Sequence, residues 1–179
     1  KTILLISAGS EAVPGILFAK KNNLKTIVVD KNKNAPGFKY ADYKIFSSTY
    51  DYENIIYNLD KNKLSSRIHG VLSLSADVPI TIAKLGLYLK LRTISLKTAR
   101  ICSDKLKMKD YFKKNNIDVP WYSEVENLKF LKKIKNNFEK FVIKPVDNRG
   151  SRGVLLIDKK TDLDWAYDYS LKFSKKKKL

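Results

Sequence analysis

The sequence predicts a three-layer α/β domain built on a parallel sheet, followed by a smaller α+β lobe. Two observations predict it. Short apolar, β-branched runs alternate with helical patterns through the first half of the chain, as in a sheet covered on both faces. Near Cys102 this rhythm gives way to charged amphipathic helices around one lysine-led hairpin.

Taken in order, Thr2 to Ser7 reads as a buried strand, Ala8-Gly9-Ser10 as a tight turn, and Val13 to Lys21 as a helix that Asn22 and Asn23 end. Thr26 to Asp30 is a second strand closed by an acid. Asn34-Ala35-Pro36-Gly37 has loop chemistry, Lys44 to Ser47 is a short strand, and Tyr52 to Asn62 is a polar-faced helix. Val71 to Ser75 and Pro79 to Tyr88 repeat the strand-helix unit, and Arg92 to Ser95 connects onward. The first domain is accordingly expected over residues 1–95 and the second lobe over 96–179. In that lobe, Asp104 to Asn115 and Asn127 to Asn137 are expected as helices flanking an extended stretch. Phe141 to Lys144 and Val154 to Asp158 are expected as the two strands of a hairpin, and Asp162 to Phe173 as a closing helix.

Composition narrows the classes. The chain of 179 residues, 44% hydrophobic, is long enough for one core and a smaller attached one. Its formal charge of +18 invites a polyanionic partner, yet only five of its 36 basic residues are arginines, and the lysines are spread along the whole chain. Nucleic-acid readers favour the planar guanidinium, so the charge reads as a solvated surface with general affinity for anions and no specific nucleic-acid partner. A single cysteine excludes an intramolecular disulfide. The first apolar run is too short for a membrane span, so a cytoplasmic protein with no membrane partner is expected.

The strongest local signal is Phe141-Val142-Ile143-Lys144-Pro145-Val146-Asp147-Asn148-Arg149-Gly150-Ser151-Arg152-Gly153-Val154. A strand delivers a lysine, and a loop with two glycines and two arginines folds back into another strand. Backbone N–H groups in such a loop approach phosphate oxygens closely, and nearby cations offset phosphate charge. The plainer reading is a hairpin whose glycines serve only the turn, and the spacing alone leaves the two even. Ala99-Arg100-Ile101-Cys102-Ser103-Asp104-Lys105, Met108-Lys109 and Ile117-Asp118-Val119-Pro120 tip the balance.

With the lysine-led loop, these segments resemble the ATP-grasp superfamily of carboxylate–amine ligases, over about residues 2 to 158. Val28-Val29-Asp30, Ala35-Pro36-Gly37, Ala41-Asp42 and Leu74-Ser75-Ala76-Asp77-Val78-Pro79 resemble segments of the Rossmann-like domain that precedes the ATP-grasp domain in that family. The resemblance implies that Lys105 and Lys144 contact ATP phosphates and that Gly150, Ser151, Arg152 and Gly153 close over them. It implies an ATP-dependent ligase, similar to carbamoyl-phosphate synthase and biotin carboxylase, that activates a small carboxylate as an acyl phosphate for attack by an amine. ATP and magnesium are the implied cofactors, and a homodimer is compatible with the resemblance. The family's acidic hinge strand and its Glu and Asn magnesium ligands have no match here. The expectation is therefore an N-terminal fragment with no metal ligands of its own, inactive alone. The alternative is a non-catalytic nucleotide-binding or NAD(P)-binding module of the same α/β class.

A second candidate site lies in the first domain. Gly9 and Ser10 follow the first strand, Asp30 ends the second, and Ser75 and Asp77 follow a later one, all at carboxyl ends of parallel strands where open α/β sheets bind ligands. Turn formation and helix capping account for the same residues equally well. His69, the lone histidine, is expected to be structural, Cys102 to pack as a small apolar group, Trp121 and Trp165 to serve core and rim, and the terminal lysines to be solvated.

Overall fold

The structure, a computed structural model, describes all residues 1–179 and divides into two compact units, Lys1–Arg100 and Ile101–Leu179.

In the first unit, strands β1 (Thr2–Ile6), β2 (Lys25–Asp30), β3 (Tyr43–Phe46) and β4 (Ile68–Ser73) form one sheet in the order β3-β2-β1-β4, every neighbouring pair parallel. Alternation along the strands builds two cores. Leu4, Ile6, Ile27, Val29 and Ile45 point to one face, where they pack with Ile55 and Leu59 of α2 (Tyr52–Lys61) and Leu85 of α3 (Pro79–Tyr88). Leu5 and Val28 point to the other, against Ile16 of α1 (Val13–Lys21) and Phe38. Apolar on both faces, β1 and β2 can only be central strands of a three-layer sandwich.

The turns are held by specific chemistry. Asp51 caps α2 by accepting from the Asn54 N–H at 3.0 Å. The expected loop at residues 34–37 instead runs into a 3₁₀ turn, Pro36–Tyr40. There the Gly37 N–H donates to the Ala8 carbonyl at 2.8 Å, and a Cβ at Gly37 would stand 2.9 Å from that oxygen, so only glycine fits. Strand β4 begins and ends earlier than the apolar run suggested. Ile68 pairs with Thr2 through a register shift, and the Ser73 hydroxyl turns back to the Ile6 and Ala76 carbonyls, ending the strand before Ser75. A short helix, α4 (Leu96–Cys102), follows the irregular stretch through Arg92, and the boundary between the two units falls within it.

The second unit contains α5 (Lys105–Lys114), α6 (Leu128–Asn137), β5 (Phe141–Ile143), β6 (Leu155–Ile157) and α7 (Leu163–Lys172). β5 and β6 form the expected antiparallel hairpin, with Phe141 opposite Ile157 and Ile143 opposite Leu155. Its core is small: Leu131, Ile143, Ile157, Leu163, Ala166 and Leu179, with partly buried apolar neighbours. Asp104, Asn127 and Asp162 cap α5, α6 and α7 by accepting backbone N–H groups of the first turn. No helix is long and apolar enough to cross a membrane.

Candidate functional site

A cleft of about 450 Å³ opens in the second unit between the start of α5, the segment 120–125 and β5. The cap at Asp104 decides where α5 begins, so Lys105 stands at its first turn and Lys109 one turn on, on the same face. Lys144 leaves the end of β5. The sequence-predicted pair, Lys105 and Lys144, thus lines one crevice, together with Lys109 and Lys140. The rest of the lining is chiefly apolar or aromatic, with Trp121, Tyr122, Phe138 and Val142, and no Asp or Glu side chain is among it. Trp121, 56% exposed, stacks at 4.3 Å on Phe138, and the Lys109 ammonium stands 5.0 Å from the Tyr122 ring centre.

The lysines feel one another. Burial pushes the Lys105 ammonium below the usual lysine range, and the charges of Lys144 and Arg149 push it further, against Asp147 and Asp104. Lys109 is lowered by burial first and then by Lys144. Lys105 Nζ donates to the carbonyls of Pro145 at 2.9 Å and Asn148 at 2.5 Å, and its backbone N–H donates to Val146 O at 2.9 Å. The residue that opens α5 is therefore stitched directly to the loop that follows Lys144.

That loop holds its own shape. Arg149 N–H bonds the Asn148 side chain, Asn148 Nδ2 donates to Arg152 O, and Arg149 Nη2 donates to Ser103 Oγ. Gly150, Ser151 and Gly153 all have left-handed backbones, φ +64°, +56° and +75°. At Gly153 a side chain is excluded twice over, because a Cβ would stand 2.8 Å from Pro145 and 2.9 Å from Phe173. Gly150, Ser151 and Arg152 are exposed, and none of the four residues 150–153 lines the cleft in this structure.

In the first unit, the predicted residues at the strand ends serve local geometry. Asp30 accepts from the Ala8 N–H at 2.9 Å and the Asn32 N–H at 2.9 Å, pinning the loop that leaves β1. Gly9 N–H and Ser75 Oγ both donate to Ser7 Oγ, at 3.3 and 3.0 Å. Ser10 opens a 3₁₀ turn and is exposed. Asp77 is exposed and precedes α3, whose cap position is taken by Val78.

Two other expectations are corrected. Cys102 is exposed, because α4 ends there without a covering element. The terminal lysines do not all face water unpaired: Lys176 Nζ bonds Asp104 at 2.5 Å, Lys178 Nζ bonds Glu124 at 2.7 Å, and Leu179 is buried beside the cleft. Sequence reasoning also passed over Lys109, Lys140 and Trp121. Only Lys109 carried a signal, four residues beyond Lys105 on one helix face.

Fold and site together give a three-layer parallel domain followed by a helix-and-hairpin unit with a basic cleft. Known proteins share these features. Residues 102–173 match the ATP-grasp domain model. The chain is 26% identical over 180 residues to a formate-dependent phosphoribosylglycinamide formyltransferase of Prochlorococcus marinus strain MIT 9515, covering 99% of this chain and 45% of that protein. Among solved structures it is similar to the N5-carboxyaminoimidazole ribonucleotide synthetase of Thermotoga maritima, with TM-score 0.68, 27% identity, and 92% and 42% of the two chains covered. The Staphylococcus aureus synthetase complexed with ADP shares the fold, with TM-score 0.73, 18% identity, and 94% and 44% covered. The whole chain has the fold of the N-terminal portion of the ATP-grasp carboxylate–amine ligases it is similar to. It spans about half the length of the curated relatives it matches.

Proposed function

We propose that the cleft of the second unit holds the phosphates of ATP and that the chain provides the N-terminal part of a ligase joining a small carboxylate to an amine. In that reading residues 1–95 form the preceding Rossmann-like domain and 96–179 the first part of the nucleotide-binding domain. The observation that carries the proposal is the convergence of Lys105 and Lys144, from separate elements, on a crevice with largely apolar walls and no Asp or Glu side chain. Clustered ammonium groups repel, and a polyanion between them turns that repulsion into attraction, strengthened where water is excluded. Lys105 and Lys144 bind and orient the triphosphate, and the loop of Gly150, Ser151, Arg152 and Gly153 closes over it, its left-handed turns leaving N–H groups available to phosphate oxygens.

The chemistry is phosphoryl transfer followed by acyl transfer. A carboxylate oxygen attacks the γ-phosphorus and ADP leaves. The amine nitrogen then attacks the acyl carbon and inorganic phosphate leaves. The lysines position the triphosphate and offset its charge while the bond to ADP breaks. Magnesium would offset further phosphate charge in such a reaction, and no group of three His, Cys, Asp or Glu side chains that could hold it stands together in this chain. Titration calorimetry with ATP tests the site. Lys144→Ala is expected to weaken binding by about 1.5–3 kcal/mol, the range for a hydrogen bond to a charged group. An unchanged affinity would return Lys144 to the solvated surface, and a thermal shift with NAD in place of ATP would favour the NAD(P)-binding alternative.

A further inference from the structure

The segment after α7, residues 174–179, contacts both elements that carry the cleft lysines. Lys176 stands at the junction. Its Nζ bonds Asp104 Oδ2 at 2.5 Å, while its backbone N–H donates to Asp147 Oδ2 at 2.9 Å. Asp104 is the cap that starts α5 at Lys105, its other oxygen accepting the Leu106 and Lys107 N–H groups at 3.1 Å each. Asp147 begins the loop after Lys144, and its other oxygen accepts from Ser174 Oγ at 2.9 Å. One residue thus holds both the carboxylate that starts α5 and the carboxylate that begins the loop after Lys144. The backbone continues the tie, with Val146 N–H donating to Lys178 O at 3.2 Å and Val125 N–H to Leu179 O at 3.0 Å.

Burial sets the price of this arrangement. The Asp104 side chain is 8% exposed, and a carboxylate so placed requires a cation and N–H donors to remain charged. Lys176 provides the cation while its own side chain stays 46% exposed, so its removal leaves the local fold with a buried, under-compensated acid and nothing else changed. The two elements tied by Lys176 also meet directly through Lys105, whose Nζ reaches the carbonyls on either side of Asp147. Any drift of Asp104 relative to Asp147 therefore moves the Lys105 ammonium within the cleft.

We propose that Lys176 is a positioning residue for the nucleotide cleft, fixing the start of α5 against the loop that follows Lys144 and so setting the affinity for a polyphosphate ligand. The proposal rests on the reading of the cleft as an ATP site. Its test uses the full chain in wild-type, Lys176→Met and Lys176→Arg forms, with amide hydrogen exchange and ATP calorimetry run on each. In Lys176→Met, exchange is expected to quicken at Leu106, Lys107 and residues 146–153, and ATP affinity to fall about tenfold, the equivalent of one charge-assisted hydrogen bond. Lys176→Arg is expected to restore both. A lower melting temperature with unchanged ATP affinity and unchanged exchange at those amides overturns the proposal, because that is what a merely stabilising ion pair produces. If the wild-type chain binds no ATP, the reading of the cleft fails on its own. The exchange arm then still decides: quickening confined to those two elements supports the tie, and identical exchange in all three forms refutes it.

Discussion

The two units use polar residues in opposite ways. In the first, acids and hydroxyls are spent on backbone geometry: Asp30 pins the loop after β1, Asp42 holds Thr26 through both its N–H and its hydroxyl, and Asp60 takes hydrogen bonds from Ser65 and Tyr88. In the second, four lysines share one crevice with no Asp or Glu side chain in its lining, and the acids nearby, Asp104 and Asp147, bond Lys176 and Ser174 instead. The first arrangement is complete without a ligand. The second leaves like charges facing each other, which a fold tolerates where an anion is to be bound.

The cores differ in the same direction, and this yields the largest expected effect. Leu4 and Leu131 are both fully buried, so Leu→Ala at either is expected to cost about 2–5 kcal/mol. The smaller core of the second unit has less to lose, so Leu131→Ala is expected to unfold that unit alone. Hydrogen exchange should then show lost protection in α6 and β5 with the parallel sheet intact. Loss of protection throughout would show that the units unfold together and would break the comparison.

Next in size is the cost of the loop conformation. Gly153→Ala places a Cβ against Pro145 and Phe173 at a left-handed backbone, and a destabilisation of about 1–3 kcal/mol is expected by chemical denaturation. Gly150→Ala meets no atom within 4 Å and pays only for its positive φ, so it should cost about 1 kcal/mol. Equal effects at the two glycines would remove the packing part of this account.

The pH responses are smaller. For Asp104, burial raises the carboxyl's pKa, but the bond and charge of Lys176 and the Lys107 N–H outweigh it and hold the group below the usual carboxylate range. A depressed folded-state value contributes stability that is present above the unfolded value, near 3.8, and is lost as pH falls through the folded one. The second unit should therefore hold its stability above about pH 5 and lose it as pH falls below 3.8, and Asp104→Asn should flatten that part of the curve. Lys105 shifts the other way in consequence. Its ammonium is disfavoured by burial and by Lys144, and a bound polyphosphate reverses the second cause. ATP binding at alkaline pH should then take up protons, visible as a dependence of the measured enthalpy on the buffer. Enthalpies independent of buffer at that pH would place the phosphates away from Lys105.

What the sequence disclosed follows the range of the interactions. Strands β1 and β2 were legible because β-branched, doubly apolar runs have one stable setting, and α2, α5 and α7 because Asp51, Asp104 and Asp162 stand at their starts. The convergence of Lys105 and Lys144 was reachable through the resemblance carried by the segments around them. Helix α4 was missed although Ser95 caps it, its hydroxyl accepting the Thr98 N–H at 3.0 Å, because its seven residues bury only Ala99. The early start of β4 was hidden by His69 and Gly70, which lack strand character and are set by pairing with β1. Lys176 looked like one lysine in a solvated run, since its partner lies 72 residues away in the chain. Trp121 gave no local sign of lining the cleft, for its place there depends on Phe138 and β5.

The central claim is that the Lys105 and Lys144 ammonium groups act on one polyphosphate. Nitrogen-resolved NMR of the lysine Nζ groups during an ATP titration tests it most directly. Both resonances are expected to move together and saturate at the same ATP concentration, while Lys25 and Lys159, outside the cleft lining, stay in place. Movement of only one of the two, or a uniform drift of all lysines with added ATP, would contradict it.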